Sequence, residues 1–190
     1  MRKNKAPRLG ILLVLGVWLA ACASSSPPMR FYTLAPMNTE GAASGNTPAA
    51  IRVVRVTLPG EIDRPELVRR MDATRLQLAE EDRWGAPLGE MIQRVLSADL
   101  QSRVPANASE PDQLVVEIEE FIADANCAVT LRAAWNLKRA SAAAAQPVRG
   151  YETVRAEPSG TCQVSVLPEI MSRALAELAN RVAAARTKSS

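Results

Sequence analysis

Cys127-Ala128-Val129-Thr130-Leu131-Arg132-Ala133-Ala134-Trp135-Asn136-Leu137-Lys138 alternates strictly along its length. Successive side chains of an extended strand point to opposite faces. Cys127, Val129, Leu131, Ala133, Trp135 and Leu137 therefore share one face, and Ala128, Thr130, Arg132, Ala134, Asn136 and Lys138 the other. The first face packs and the second is largely wet, the pattern of a half-buried strand. Just upstream, residues 113–122 read as another strand, with Leu114, Val116 and Ile118 on one side and Glu117 and Glu119 on the other. Downstream, residues 148–156 form a third. The low-complexity run 140–146 between the two is a hairpin loop by position, although Ala-rich sequence alone favours helix.

Farther out, residues 51–58 are dense in Val and Ile and stop at Pro59-Gly60, as a largely buried strand would. Residues 67–71 and 76–79 read as two weaker strands around a turn at Asp72-Ala73-Thr74, and Phe31-Tyr32-Thr33-Leu34 as a short one. Two helices interrupt the strands. The first follows Trp84-Gly85-Ala86, with Pro87 at a first position where its missing N–H has no partner to lose. Leu88, Met91, Ile92, Val95, Leu96 and Leu100 give it one apolar stripe, and Pro105 ends it. The second runs over residues 167–185, with Ile170, Met171, Ala174, Leu175, Leu178 and Val182 as its stripe. Glu169 suits its positive N-terminal end, and the polar tail 186–190 is expected to fray. Strands, helix, strands, helix, without regular alternation, predict an α+β fold: one largely antiparallel or mixed sheet with two main helices packed on it.

The N-terminus carries a different message. Arg2, Lys3, Lys5 and Arg8 precede an apolar stretch from Leu9 to Leu19, and Leu19-Ala20-Ala21-Cys22 closes it. A basic start, an apolar core and small residues before the cut describe a secretory signal, and the core is shorter than the roughly 20 residues of a spanning helix. Leu-Ala-Ala-Cys resembles the lipobox of bacterial lipoproteins, in which the Cys is lipidated and becomes the first mature residue. Residues 1–21 are then the signal peptide and 22–30 a lipidated tether stiffened by Pro27-Pro28. Residues 31–190 form a single domain, of which 35–50 is a flexible loop. About three acyl chains on Cys22, each buried methylene adding about 0.8 kcal/mol, would hold the protein to a membrane.

Processing also removes the apparent basicity. Of 23 basic residues the signal holds four, leaving 19 against 20 acidic ones, so no electrostatic case for nucleic acid remains. The chain has no His, which excludes Ser-His-Asp and Cys-His arrangements. Gly41 and Gly45 lack the strand–loop–helix setting of a phosphate loop. Glu80-Glu81-Asp82 and the Glu117, Glu119, Glu120 group are the only carboxylate clusters; solvated edges explain them better than cation sites do. Cys127 and Cys162 are either a disulfide, in an oxidising compartment, or two small buried hydrophobes. A metal site is not expected from two Cys without His.

Four segments carry a family resemblance: Val56-Thr57-Leu58-Pro59, then Ile62-Asp63-Arg64-Pro65-Glu66-Leu67-Val68-Arg69-Arg70, then Arg83-Trp84-Gly85-Ala86-Pro87-Leu88, and last Asp99-Leu100 to Val104-Pro105; the Arg64-Pro65-Glu66-Leu67-Val68 and Arg83 to Leu88 pair is the most specific part. Together with the early Phe31-Tyr32-Thr33-Leu34, the Trp135 strand and the closing helix, they resemble the PqiC (YmbA) family of ABC-type transport auxiliary lipoproteins. The Ala-rich run and the two later cysteines are not part of that pattern. The resemblance implies a non-enzymatic, outer-membrane lipoprotein on the periplasmic side, with no cofactor beyond the covalent lipid on Cys22. It further implies work with a PqiA-like inner-membrane protein and a PqiB-like tunnel of MCE domains in intermembrane lipid transport, and service to envelope integrity. Ala23 after the Cys is not the Asp associated with inner-membrane retention. A ring-shaped tunnel favours a partner of matching symmetry, hence a homo-oligomeric ring. Arg64, Arg83 and Trp84 are interaction candidates, since Trp and Arg are favoured interface anchors; alternatively Trp84 packs the entrance to the first helix, with Arg83 over it. An assembly or pilot lipoprotein is the alternative function, and an enzyme using distant carboxylates a third.

Overall fold

The computed structural model describes residues 27–37, 50–103, 110–140 and 146–188. Residues 1–21, Cys22, most of the loop expected at 35–50 and most of the hairpin loop expected at 140–146 lie outside them. The elements are β1 (Arg30–Tyr32), β2 (Ile51–Thr57), β3 (Glu66–Arg70), β4 (Leu76–Trp84), α1 (Leu88–Arg103), β5 (Asp112–Asp124), β6 (Val129–Lys138), β7 (Val148–Ala156) and α2 (Leu167–Lys188). A 3-10 turn at Val164–Val166 leads into α2.

All seven strands belong to one mixed, open sheet, ordered β1-β4-β3-β5-β6-β7, with β2 also on β5. The organising strand is β5. Along one edge β6 pairs with it antiparallel, from Gln113↔Lys138 to Ala123↔Val129. The other edge is shared: β2 runs parallel to the first half, Ile51↔Asp112 to Thr57↔Glu117, and β3 meets the far end at Arg69↔Ala123 and Arg70↔Asp124. A parallel β2–β5 pair needs a crossover, supplied here by the β3–β4 hairpin and α1.

Both helices lie on one face of the sheet. α1 packs on β2 and α2, and α2 packs on β6 and β7. The side chains beneath them are those the alternation places inward: Val129, Leu131, Ala133, Trp135 and Leu137 are buried, while Arg132 and Lys138 are exposed. Each apolar stripe read for the helices is likewise buried, Leu88 to Leu100 in α1 and Ile170 to Val182 in α2. Among the described residues no helix is long and apolar enough to cross a membrane.

Three local features differ from the expectations. The alternation in β5 breaks at a bulge between Ile118 and Glu120. The extra residue swaps the faces, so Phe121 and Ala123 pack inward opposite Leu131 and Val129 while Glu120 stays outside opposite Arg132. β4 reaches Trp84, past the expected end at 79, because β1 pairs with it in parallel from Arg30↔Asp82 to Tyr32↔Trp84. The tail expected to fray is helical through Lys188. Arg186 Nε is 2.7 Å from Asp112 Oδ2, which ties that last turn to the start of β5.

Candidate functional site

The family-like segments around Arg64-Pro65 and Arg83-Trp84 meet at the mouth of α1. Pro59 accepts at its carbonyl from the N–H groups of Ile62 (3.1 Å) and Asp63 (3.2 Å), curling the chain after β2. Ile62 is buried beneath this curl. Pro65 cannot donate from its nitrogen, but its carbonyl accepts the Trp84 N–H at 2.7 Å. Gly85 donates to Tyr32 O at 2.8 Å, which joins the end of β4 to the end of β1. Met91 N then reaches Pro87 O at 3.2 Å as α1 begins.

These contacts enclose a cleft of about 370 Å³ lined by residues 63–65 and 84–88. Trp84 and Leu88 are buried at its base, Pro65, Ala86 and Pro87 add apolar walls, and Asp63 and Arg64 are its only ionisable lining groups. Glu66 organises the rim from behind. It accepts from Arg64 Nε at 3.1 Å and lies 3.9 Å from Arg83 Nη2. Its carboxyl is held below the ordinary glutamate range, chiefly by the Arg64 hydrogen bond. The three interaction candidates are thus together, but not alike. Trp84 is 7 % exposed and packs the entrance to α1, while the side chains of Arg64 and Arg83 are 39 % and 37 % exposed. The cleft is thus apolar at its base, with Asp63 and Arg64 as the charged groups of its lining.

Cys127 and Cys162 are joined in a disulfide, with Cα atoms 5.4 Å apart. It ties the β5–β6 turn to the segment leading into α2, and Arg69 Nη1 lies 3.8 Å from Cys162 Sγ. Cys127 occupies the left-handed region at φ 65°. Its N–H closes the turn onto Asp124 O at 3.0 Å, and Asp124 Oδ1 accepts from the N–H groups of Asn126 and Ala128.

Neither carboxylate cluster is a simple solvated edge. Asp82 is 3 % exposed and takes a bidentate bond from Arg30, 2.6 Å from Nε and 2.8 Å from Nη2. That bond, first among the causes, holds its pKa below the ordinary aspartate value. Glu120 is 8 % exposed and lies between Arg70 and Arg132, the latter at 3.1 Å. Glu119 accepts from the Tyr151 hydroxyl at 2.8 Å. Glu66, Asp82, Asp99, Asp112 and Glu120 are structural carboxylates that the sequence did not single out as such; an Arg two residues from Glu66 is a signal it offered for that one. Among the described residues no group of three or more candidate ligands could hold a metal ion.

The pattern of the ABC-type transport auxiliary lipoprotein component family matches residues 32–183. The chain belongs to that family, a class of transport-associated, membrane-linked lipoproteins. It is 25 % identical over 183 residues to the intermembrane transport lipoprotein PqiC of Escherichia coli (strain K12), covering 90 % of this chain and 96 % of the relative. Two crystal structures share the fold. One, of an uncharacterized protein, has a TM-score of 0.67 at 17 % identity, over 83 % of this chain and 97 % of the other. The second, from Xanthomonas campestris, has a TM-score of 0.61 at 16 % identity, over 84 % and 98 %.

Proposed function

We propose that this protein is a non-catalytic, outer-membrane-anchored subunit of an intermembrane lipid-transport complex that serves envelope integrity. The observation that carries the reading is that likeness to the family and to an intermembrane transport lipoprotein runs through almost the whole domain, residues 32–183 in the family match. In this reading Cys22 is lipidated and holds the domain on the periplasmic side of the outer membrane. A PqiB-like MCE tunnel, rooted in the inner membrane beside a PqiA-like protein, then meets the domain, which is arranged as a homo-oligomeric ring. The cleft between residues 63–65 and 84–88 is the docking surface, because its lining is largely apolar with exposed Asp63 and Arg64 at its mouth, and half-buried Arg83 stands close by on Glu66.

Co-purification with an MCE-domain partner tests this directly. Arg64→Ala with Arg83→Ala is expected to lower partner recovery by about tenfold or more, as loss of interface anchors does, with the melting temperature nearly unchanged. Trp84→Ala is expected to destabilise the fold itself by about 3–5 kcal/mol. Unchanged recovery in the double Arg variant removes the cleft as the docking surface.

A further inference from the structure

The face of the sheet away from the helices has a charge pattern that the transport reading does not use. Across strands β2, β5, β6 and β7, outward side chains line up in rows. One row is Arg52, Gln113 and Lys138; the next is Arg55, Val115, Asn136 and Arg149. Arg52, Arg55, Lys138 and Arg149 are all exposed. None of the four has an ion-pair or hydrogen-bond partner among the described residues. The contrast along the same face is sharp. Arg132 pairs with Glu120, and Arg155 with Asp124 and Glu157. The nearest outward carboxylate, Glu117, stands one row farther on, opposite Ala134, and Glu119 is taken by Tyr151.

We propose that Arg52, Arg55, Lys138 and Arg149 form a docking face for the anionic headgroups of a lipid bilayer. Strands about 4.8 Å apart spread the four cations over roughly 14 Å, with about 7 Å between rows. Four cations spread across four strands, unpaired among the described residues, fit an extended anionic surface better than they fit a short acidic peptide. The inference rests on the anchor at Cys22, which supplies proximity. The eight residues from Cys22 to Arg30 span at most about 26–29 Å when extended, well beyond the domain's radius of gyration of roughly 15 Å. The tether therefore lets this face turn onto the bilayer. Each cation at an anionic surface strengthens partitioning by roughly fivefold, in a manner that salt screens.

The mature chain holds just two lysines, Lys138 in this face and Lys188 at the end of α2, which gives an internal reference. The lipid-anchored protein is placed in vesicles of phosphatidylcholine alone, or with about 30 mol % phosphatidylglycerol, and reacted with a membrane-impermeant amine reagent. Labelling of Lys138 relative to Lys188 is expected to fall several-fold on the anionic vesicles and to recover in about 0.5 M salt. Arg52→Gln with Arg149→Gln, both exposed and without partners, should abolish the protection while leaving the melting temperature unchanged. Equal Lys138 labelling on both vesicles overturns the docking face and leaves the anchor standing. Protection that survives the double variant or high salt also overturns it, as does protection that appears only when an acidic partner protein is added. A chain that floats with neither vesicle overturns the anchor and the face together.

Discussion

Gly150 stands opposite Trp135 in the β6–β7 pair, and a Cβ at Gly150 would lie 2.7 Å from Trp135 Nε1 and deeper inside the rest of the indole. The backbone of β7 is thus one wall of the tryptophan's pocket, and the glycine is there for the close approach. Gly150→Ala is expected to cost about 1–3 kcal/mol through overpacking, read by denaturant unfolding. With Trp135→Val the same change should become neutral or slightly favourable, because alanine loses less backbone freedom than glycine. A second residue-scale effect depends on pH. The folded pKa of Asp82 is depressed, first by the Arg30 hydrogen bond. Its contribution is therefore present above the unfolded pKa and is lost as pH falls through the folded one. Asp82→Asn should cost roughly 1 kcal/mol near neutrality, a figure kept small because Arg30 is open to solvent. The gap between wild type and variant should close as a pH titration of unfolding passes below about 4. A gap that widens on acidification would contradict the assignment.

At the scale of elements, the β5–β6 turn couples backbone and cross-link. Turns of this kind want glycine or asparagine where φ is positive, yet the left-handed position is Cys127. The disulfide explains the choice, since the loop it closes, 35 residues in separation, stabilises by about 4 kcal/mol in the chain-entropy picture. A left-handed non-glycine residue costs about 1–2 kcal/mol. Cys127→Gly with Cys162→Ala should consequently be less destabilised than Cys127→Ala with Cys162→Ala, by about 1 kcal/mol in denaturant unfolding. Hydrogen exchange should speed up in both variants around residues 157–166, the segment the bond ties down. If the two double variants unfold identically, the turn does not feel the strain. The bulge in β5 belongs to the same scale. Strict alternation through residues 113–122 would have put Glu120 inside and Phe121 outside; one extra residue reverses this and delivers Glu120 to Arg70 and Arg132.

For the whole molecule, what periodicity encodes was legible and what distance in sequence encodes was not. The inward faces of β6, α1 and α2 follow directly from spacings of two and of three or four residues, so a largely antiparallel or mixed sheet with two helices packed on it could be read in advance; that both helices share one face could not. Nothing periodic says that β1 pairs with β4, 52 residues away at Arg30 and Asp82, or that β2 and β3 share one edge of β5. The cleft shows the same division. Arg64-Pro65 and Arg83-Trp84 stood out as segments, but their meeting depends on the Trp84 to Pro65 hydrogen bond and on Glu66 between the two arginines. Those contacts lie across the open end of the β3–β4 pair, which brings the two segments side by side. Among the described residues the sheet has three edges, each guarded: β1 is three residues long, β2, paired with β5 alone, carries exposed Arg52 and Arg55, and β7 carries exposed Arg149, Tyr151 and Arg155. Such edges discourage open-ended pairing between copies, so association, where it occurs, should close on itself. A ring whose symmetry matches a tunnel lets every subunit make the same contact. Light scattering of the soluble Cys22→Ser form should accordingly give one discrete multiple of the monomer mass, unchanged over a wide range of concentration. A monomer at high concentration would remove the ring, and a mass that climbs continuously would show that the edges do pair.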